Sequence, residues 1–343
     1  MKVAVVGSGI HGASSANVLA GRGHEVSLYE QFQPLHDRGS SHGESRIVRK
    51  AYPDPFYTGL MAEAYPLWRD LELQSGEALL HEVGLAYVGK DDAPNLRTVV
   101  DGLSEVGEPF ELLSPSNVSS VSRHLRLERN EVAVFTAAAG WVDAGKCTSV
   151  TLGLAARSGV SIHPFHRVDR AWLDRNFDAY IVAPGAWIRE WVPELEVKVT
   201  LQTVAFFEAL VDGPVWIEDS DRLAYGFPTR ETLGAKVAYH SLGRPIEPES
   251  GDREPEGHLL EELGQVLSRR FGTKDPELKR AYGCLYTNTP DEDFRVGRLG
   301  HSGFYVSACS GHGFKFGPWI GRLMADFVEG KRTPEGFPRF APR

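Results

Sequence analysis

Cysteine is scarce in this 343-residue chain: Cys147, Cys284 and Cys309 stand far apart and form no CxxC pair. That spacing excludes a disulfide framework and offers no zinc-binding pattern. Long apolar runs are missing too. The run Val3 to Val6 is cut by Gly7, too short for the apolar region of a secretory signal. No later stretch nears the roughly 18 unbroken apolar residues of a membrane span. The expectation is a reduced, cytoplasmic protein that does not enter a membrane. Positive charge is in deficit, with 37 Lys and Arg against 46 Asp and Glu and a net charge of −9. This argues against a general attraction to nucleic acid or anionic lipid. Repeats, low-complexity tracts and long linkers are likewise absent.

A hydrophobic content of 42% over this length can bury a sizeable core. Lys2 to Val6 reads as a buried strand, Ala13 to Ala20 as a helix closed by Gly21 and Gly23, and Glu25 to Tyr29 as a second strand. This is a βαβ opening. Further on, Leu85 to Val88 and Tyr180 to Ala183 read as strands. Leu201 to Ala209, Arg222 to Phe227 and Ala235 to Tyr239 look like an antiparallel sheet, and Glu256 to Phe271 like a charged helix. Trp319, Ile320, Leu323 and Phe327 form an apolar stripe on a last helix from Pro318 to Phe327, with Gly330 past its end.

Gly7, Gly9 and Gly12 have GxGxxG spacing between strand and helix. The first glycine permits a tight turn, the second lets the backbone approach a pyrophosphate, and the third lets helix and strand pack closely. The helix N-terminus then faces the phosphate charge. Glu30 lies 18 residues beyond Gly12, where an acid can accept both ribose hydroxyls; it would repel the 2′-phosphate of NADP. The motif does not separate NAD from FAD.

Three downstream segments bear on that choice. They are Gly39-Ser-Ser-His-Gly-Glu-Ser-Arg-Ile-Val-Arg49; Tyr225-Gly-Phe-Pro with Lys236-Val-Ala-Tyr-His240; and Gly283-Cys-Leu-Tyr-Thr-Asn-Thr-Pro-Asp-Glu-Asp-Phe294 with Ser310-Gly-His-Gly-Phe-Lys-Phe316. Together, and in this order, they resemble the monomeric sarcosine oxidase and N-methyltryptophan oxidase family of FAD enzymes. The resemblance runs from Met1 to about Gly330. It implies an α/β (α+β overall) protein, with a Rossmann-type FAD-binding domain interleaved with an antiparallel-sheet substrate domain. The FAD-binding segments would be 1–80, 139–195 and 283–331, the substrate segments 81–138 and 196–282, and 332–343 a C-terminal tail.

The resemblance also assigns roles. Cys284 matches the cysteine bonded through sulfur to the flavin; a lone cysteine is otherwise most often a structural thiol, the reading given to Cys147 and Cys309. Arg49 and Lys315 match two cations that hold the substrate carboxylate, the Arg by parallel hydrogen bonds and the Lys by point charge. Arg46 matches an arginine against the flavin face. His42 and His240 match histidines near the reacting carbon, and Tyr225 a tyrosine near the substrate. Lys236 falls where the family's ammonium activates oxygen, since fixed positive charge in a dry site stabilises a developing anion. Cofactor contacts are expected from Gly7, Gly9, Ile10, His11, Gly12, Glu30, Ser40, Ser41, Arg46, Val168, Gly185, Trp187, Cys284, Gly311, Gly313, Phe314 and Lys315.

The implied activity is that of a monomer oxidising a small secondary amino acid with O₂, giving an imine that hydrolyses and hydrogen peroxide. Two alternatives stay open: an oxidase of cyclic or glycated amino acids, separable by a substrate panel, and a flavin-binding protein without turnover. The second has no use for Lys236, Arg49, Lys315 and Cys284 together.

Overall fold

The computed structural model describes residues 1–241, 243–307 and 309–342. In chain order the elements begin β1 (Lys2–Val6), α1 (Ile10–Gly21), β2 (Glu25–Tyr29), β3 (Arg46–Val48), α2 (Pro55–Ser75), β4 (Leu80–Glu82) and β5 (Leu85–Lys90). There follow α3 (Pro94–Glu105), β6 (Glu111–Leu113), β7 (Glu131–Thr136), β8 (Gly140–Val142), α4 (Ala144–Arg157), β9 (Ser161–His163), α5 (Arg170–Asn176) and β10 (Ala179–Val182). Next come β11 (Lys198–Glu208), β12 (Val215–Glu218), β13 (Ala224–Gly226), β14 (Ala235–Tyr239) and β15 (Arg244–Pro245). The chain closes with α6 (Gly257–Phe271), β16 (Glu277–Asn288), β17 (Arg295–Leu299), β18 (Gly303–Ser307) and α7 (Gly317–Val328).

One sheet has the order β17-β18-β10-β1-β2-β9 and is parallel except for β17. Its central strand β1 is a continuous apolar run because both faces are covered. Val3 and Val5 pack under α1, α4 and α7, and Ala4 lies in a separate cluster with Tyr180 and Val182 on the other face. Cys147 belongs to the first of these clusters, as a packing thiol should.

The second sheet runs β15-β11-β14-β13-β12-β5-β7-β6, with β16 on the other edge of β11. It is antiparallel except where β12 meets β5, and α6 packs on it through Leu259, Leu263, Val266 and Leu267. A three-stranded sheet, β3-β8-β4, lies apart from both. The chain thus visits the parallel sheet three times and the antiparallel sheet twice in between, which is the interleaving expected from the sequence. β16 is continuous through residues 282 and 283, so the expected segment boundary there falls inside a strand.

The helix expected to end at Ala20 includes Gly21, and the left-handed turn comes at Gly23, whose φ is +85°. Gly272, with φ +69°, ends α6 in the same way.

Candidate functional site

Two cavities meet at the junction of the sheets. The larger, about 510 Å³, lies at the carboxyl edge of the parallel sheet, where α/β folds place nucleotides. The smaller, about 260 Å³, lies against the antiparallel sheet, and Arg46, Tyr286, Gly311 and Phe314 wall both.

The glycine loop forms one end of the larger cavity. Gly7 has φ +95°, and a Cβ there would stand 2.4 Å from the Ala183 carbonyl oxygen. A Cβ on Gly12 would come within 1.9 Å of the Gly7 carbonyl oxygen, so α1 can cross β1 this closely only through glycine. A Cβ on Gly9 would meet only the Ser41 side chain, whose Oγ would stand 3.1 Å away. Gly9, Ile10 and His11 line the cavity, and α1 has no side-chain cap at its start. This is the cradle that a pyrophosphate requires.

Glu30 is buried beside that loop. Ser8 donates to it from its N–H at 2.8 Å and its hydroxyl at 2.9 Å, and Phe32 N–H donates at 3.0 Å. Burial works to raise its pKa, but these bonds and that of His36 outweigh it and hold the carboxyl ionised. Val168, Gly185 and Trp187 line the same end. Ser41 Oγ accepts from Ile10 N–H at 3.1 Å, and Ser40 Oγ donates to the Leu285 carbonyl at 2.7 Å, so both loop serines are fixed.

At the far end, β16 brings Cys284 to the cavity wall, paired in register with Gln202 of β11. Arg46 Nη2 lies 3.7 Å from the sulfur and is held by the carbonyls of Ser40 and His42 at 2.9 and 2.7 Å. Burial opposes ionisation of the thiol, yet the charges of Arg46, His42 and Lys236 bring its pKa down to about 7. A substantial thiolate fraction at neutral pH makes Cys284 a nucleophile. Cys309 packs, partly buried, against the apolar core, as its reading as a packing residue has it, and also lines this cavity.

The smaller cavity holds two buried cations, with the acids Asp54, Asp291 and Glu292 also in its wall. Arg49 is buried, donates to the Ala51 carbonyl, and lies 4.2 Å from the Tyr52 ring centroid. Lys315 is buried as well, with Nζ 2.8 Å from Tyr52 Oη and 2.9 Å from the His312 carbonyl, while the Trp68 indole donates to the Lys315 carbonyl. Burial, then Arg49, pushes the Lys315 pKa well below that of a free lysine. Neither cation is ion-paired with a carboxylate among the described residues. A buried pair of cations without a counter-ion is costly, and an anionic ligand removes that cost.

Ser310 and Gly311, with φ of +44° and +74°, turn the backbone toward this cavity. A Cβ on Gly311 would stand 2.0 Å from the Tyr286 ring. Gly313 is equally tight against Cys309 and is capped by His11 Nε2, 3.1 Å from its carbonyl. His240 lines the cavity, and burial followed by Lys315 and Arg49 lowers its pKa to about 4, leaving it neutral at pH 7. Tyr225 reaches Tyr286 at 3.2 Å between hydroxyls.

Two expected residues sit elsewhere. His42 lies next to Tyr282 and influences Cys284, outside the wall of the smaller cavity. Lys236, on the fully buried strand β14, lines neither cavity. Its ammonium binds Ser45 O at 2.9 Å and Ser45 Oγ at 3.2 Å, one residue from Arg46. Burial, then Arg46, lowers its pKa to about 7.

Tyr52, Tyr286 and His312 belong to the site but were not singled out in the sequence. Tyr286 was within reach, because strand residues 284 and 286 face the same side. Tyr52 and His312 carry no such signal.

Residues 2–327 match the family of FAD dependent oxidoreductases. A monomeric sarcosine oxidase of Streptomyces avermitilis is 31% identical over 99% of this chain and 97% of that protein. The human peroxisomal sarcosine oxidase is 32% identical over 96% and 92%, and an N-methyl-L-tryptophan oxidase of Yersinia pestis is 29% identical over 96% and 95%. Among solved structures, NikD, an amino acid oxidase of nikkomycin biosynthesis, superimposes in its open form with a TM-score of 0.84. It covers 99% of this chain and 97% of that one at 22% identity, a likeness of fold. The glycine cradle, the ionised Glu30 and the sheet topology fit the cofactor that this match implies, and the chain belongs to the FAD-dependent oxidoreductase family.

Proposed function

We propose that this protein is an oxidase of secondary, N-methyl-type amino acids such as sarcosine, producing an imine that hydrolyses and hydrogen peroxide. The observation that carries the reading is the buried pair Arg49 and Lys315, which is ion-paired with no acid among the described residues and faces a cavity adjoining the nucleotide cradle. Such a pair selects a carboxylate-bearing amine over a simple one. The names of the relatives supply the amine class.

In this reading, Gly7, Gly9, Gly12 and Glu30 hold the ADP portion of FAD, and Arg46, Gly311, Gly313 and Phe314 the flavin portion. The flavin, when bound, supplies a two-electron acceptor that O₂ can reoxidise. Cys284, with its thiolate favoured by Arg46, forms the covalent link. His240 is neutral and so leaves the cationic charge of the substrate pocket to Arg49 and Lys315. Lys236 supplies the positive charge for oxygen reduction from behind Ser45. The name of the Streptomyces avermitilis relative supports a monomer.

The test is peroxide release from purified holoenzyme across N-methyl, cyclic and glycated amino acids. N-methyl amino acids should give stoichiometric peroxide. Turnover confined to a glycated amino acid would replace this assignment.

A further inference from the structure

The C-terminal tail reaches the smaller cavity. Arg339 forms part of its wall and reaches two acids at once. Its Nε donates to both carboxylate oxygens of Asp293 at 2.8 and 2.9 Å; Nη1 donates to Asp54 Oδ1 at 3.1 Å, and Nη2 to Asp54 Oδ2. Phe340 is fully buried among the rings of Phe56, Tyr57, Phe294 and Phe337, so the segment is anchored.

One acid lies in the wall that holds the cation pair and the other is linked to it through two tyrosines. Asp54 lines the same cavity as Arg49 and Lys315. Asp293 accepts from the Tyr57 hydroxyl at 2.9 Å, and the Tyr57 ring stacks on Tyr52, whose hydroxyl accepts from Lys315. Asp293 is buried and Asp54 partly exposed, and charges so placed interact more strongly than in water. Left alone, Asp54 and Asp293 would attract Arg49 and Lys315 and repel an incoming anion. A guanidinium fork satisfies two carboxylates in a fixed geometry, as an ammonium does not.

We infer that Arg339 is a positioning residue of the substrate site: it occupies Asp54 and Asp293, keeping Arg49 and Lys315 available to the substrate carboxylate. This rests on the amino-acid oxidase reading above and makes the tail a part of that site.

Acetate, which offers a carboxylate without an oxidisable amine, is the probe. Its affinity for the flavin-loaded protein is measured by calorimetry in wild type, Arg339→Gln, Arg339→Lys, and Arg339→Gln combined with Asp54→Asn and Asp293→Asn. Arg339→Gln should weaken binding about tenfold, as expected for an uncompensated nearby charge. Lys should recover part of that loss, and the combined variant most of it. With an amino acid substrate, Arg339→Gln should raise KM while leaving kcat nearly unchanged. Unchanged acetate affinity in Arg339→Gln overturns the inference, and so does a combined variant as weak as the single one, which would make the loss structural. Should Arg339→Gln fail to fold, Asp54→Asn with Asp293→Asn in the native background must bind acetate at least as tightly as wild type; weaker binding overturns the inference. Failure of wild type to bind acetate while amines still reduce its flavin would instead overturn the carboxylate-pair reading on which it rests.

Discussion

The two cavities are built on opposite principles. In the larger one, shape is set by backbone: Gly7 and Gly12 sit where a single added carbon meets a carbonyl oxygen at 2.4 and 1.9 Å, and the acid beside that loop, Glu30, is already hydrogen-bonded. In the smaller one, charge is left unsatisfied: Arg49 and Lys315 are buried beside hydroxyls and carbonyls, with the nearby acids Asp54 and Asp293 bound to Arg339. Tight backbone makes a site intolerant of volume. Unpaired charge makes a site intolerant of neutralisation.

Gly12→Ala probes the first principle most severely. The new Cβ would overlap a backbone oxygen that has nowhere to move, so the purified variant should carry essentially no flavin, read from its visible absorbance per chain. Full flavin content would break the contrast. At the other cavity, Arg49→Gln or Lys315→Met should keep the flavin but lower kcat/KM for amino acids by roughly 100-fold or more, the scale for losing one charged hydrogen-bonding partner in a buried site. Loss of flavin from these variants would mean that the cavities are not energetically separate.

Lys236→Met should leave anaerobic reduction by substrate largely intact and slow reoxidation by O₂ about 100-fold, as for removal of a preorganised charge. Stopped-flow measurement of the two half-reactions separates these effects. Since burial lowers the Lys236 pKa to about 7, the ammonium is present below that value and is lost above it. Reoxidation should therefore slow as pH rises through about 7. The Cys284 thiolate supports the Lys236 charge, so consuming that thiolate in a covalent link should move the midpoint lower. Cys284→Ala has the smallest effect on architecture: its flavin should be released on acid precipitation, whereas the wild-type precipitate should stay yellow.

The same contrast governs what the sequence discloses. The cradle is local: Gly7 to Gly12 and the acid at the end of β2 lie within one βαβ unit, and their spacing states their purpose. The smaller cavity is assembled from β3 and the turn after it, the start of α2, β12, β13, His240 just past β14, β16, the Ser310 to Phe316 turn and the tail. Arg49, Lys315, His240 and Tyr225 were legible only through family resemblance, because no spacing rule links residues so far apart. Tyr52 and His312 escaped because their value lies in which buried cation or ring they touch. Arg339 escaped because nothing in Pro338-Arg-Phe340 marks it out before Asp54 and Asp293 are seen to converge on it. Cys309 packs against the core as read, and only its second contact, with the larger cavity, was hidden, because the sequence does not show which side of a turn faces a cavity.

The central claim is that a carboxylate held by Arg49 and Lys315 is required for oxidation of the neighbouring amine. Anaerobic mixing of the flavin-loaded protein with sarcosine, other N-methyl amino acids and the matching N-methylamines that lack the carboxylate tests this directly. The account predicts rapid flavin bleaching by at least one N-methyl amino acid and little by its decarboxylated counterpart. Equal bleaching by the two would contradict it.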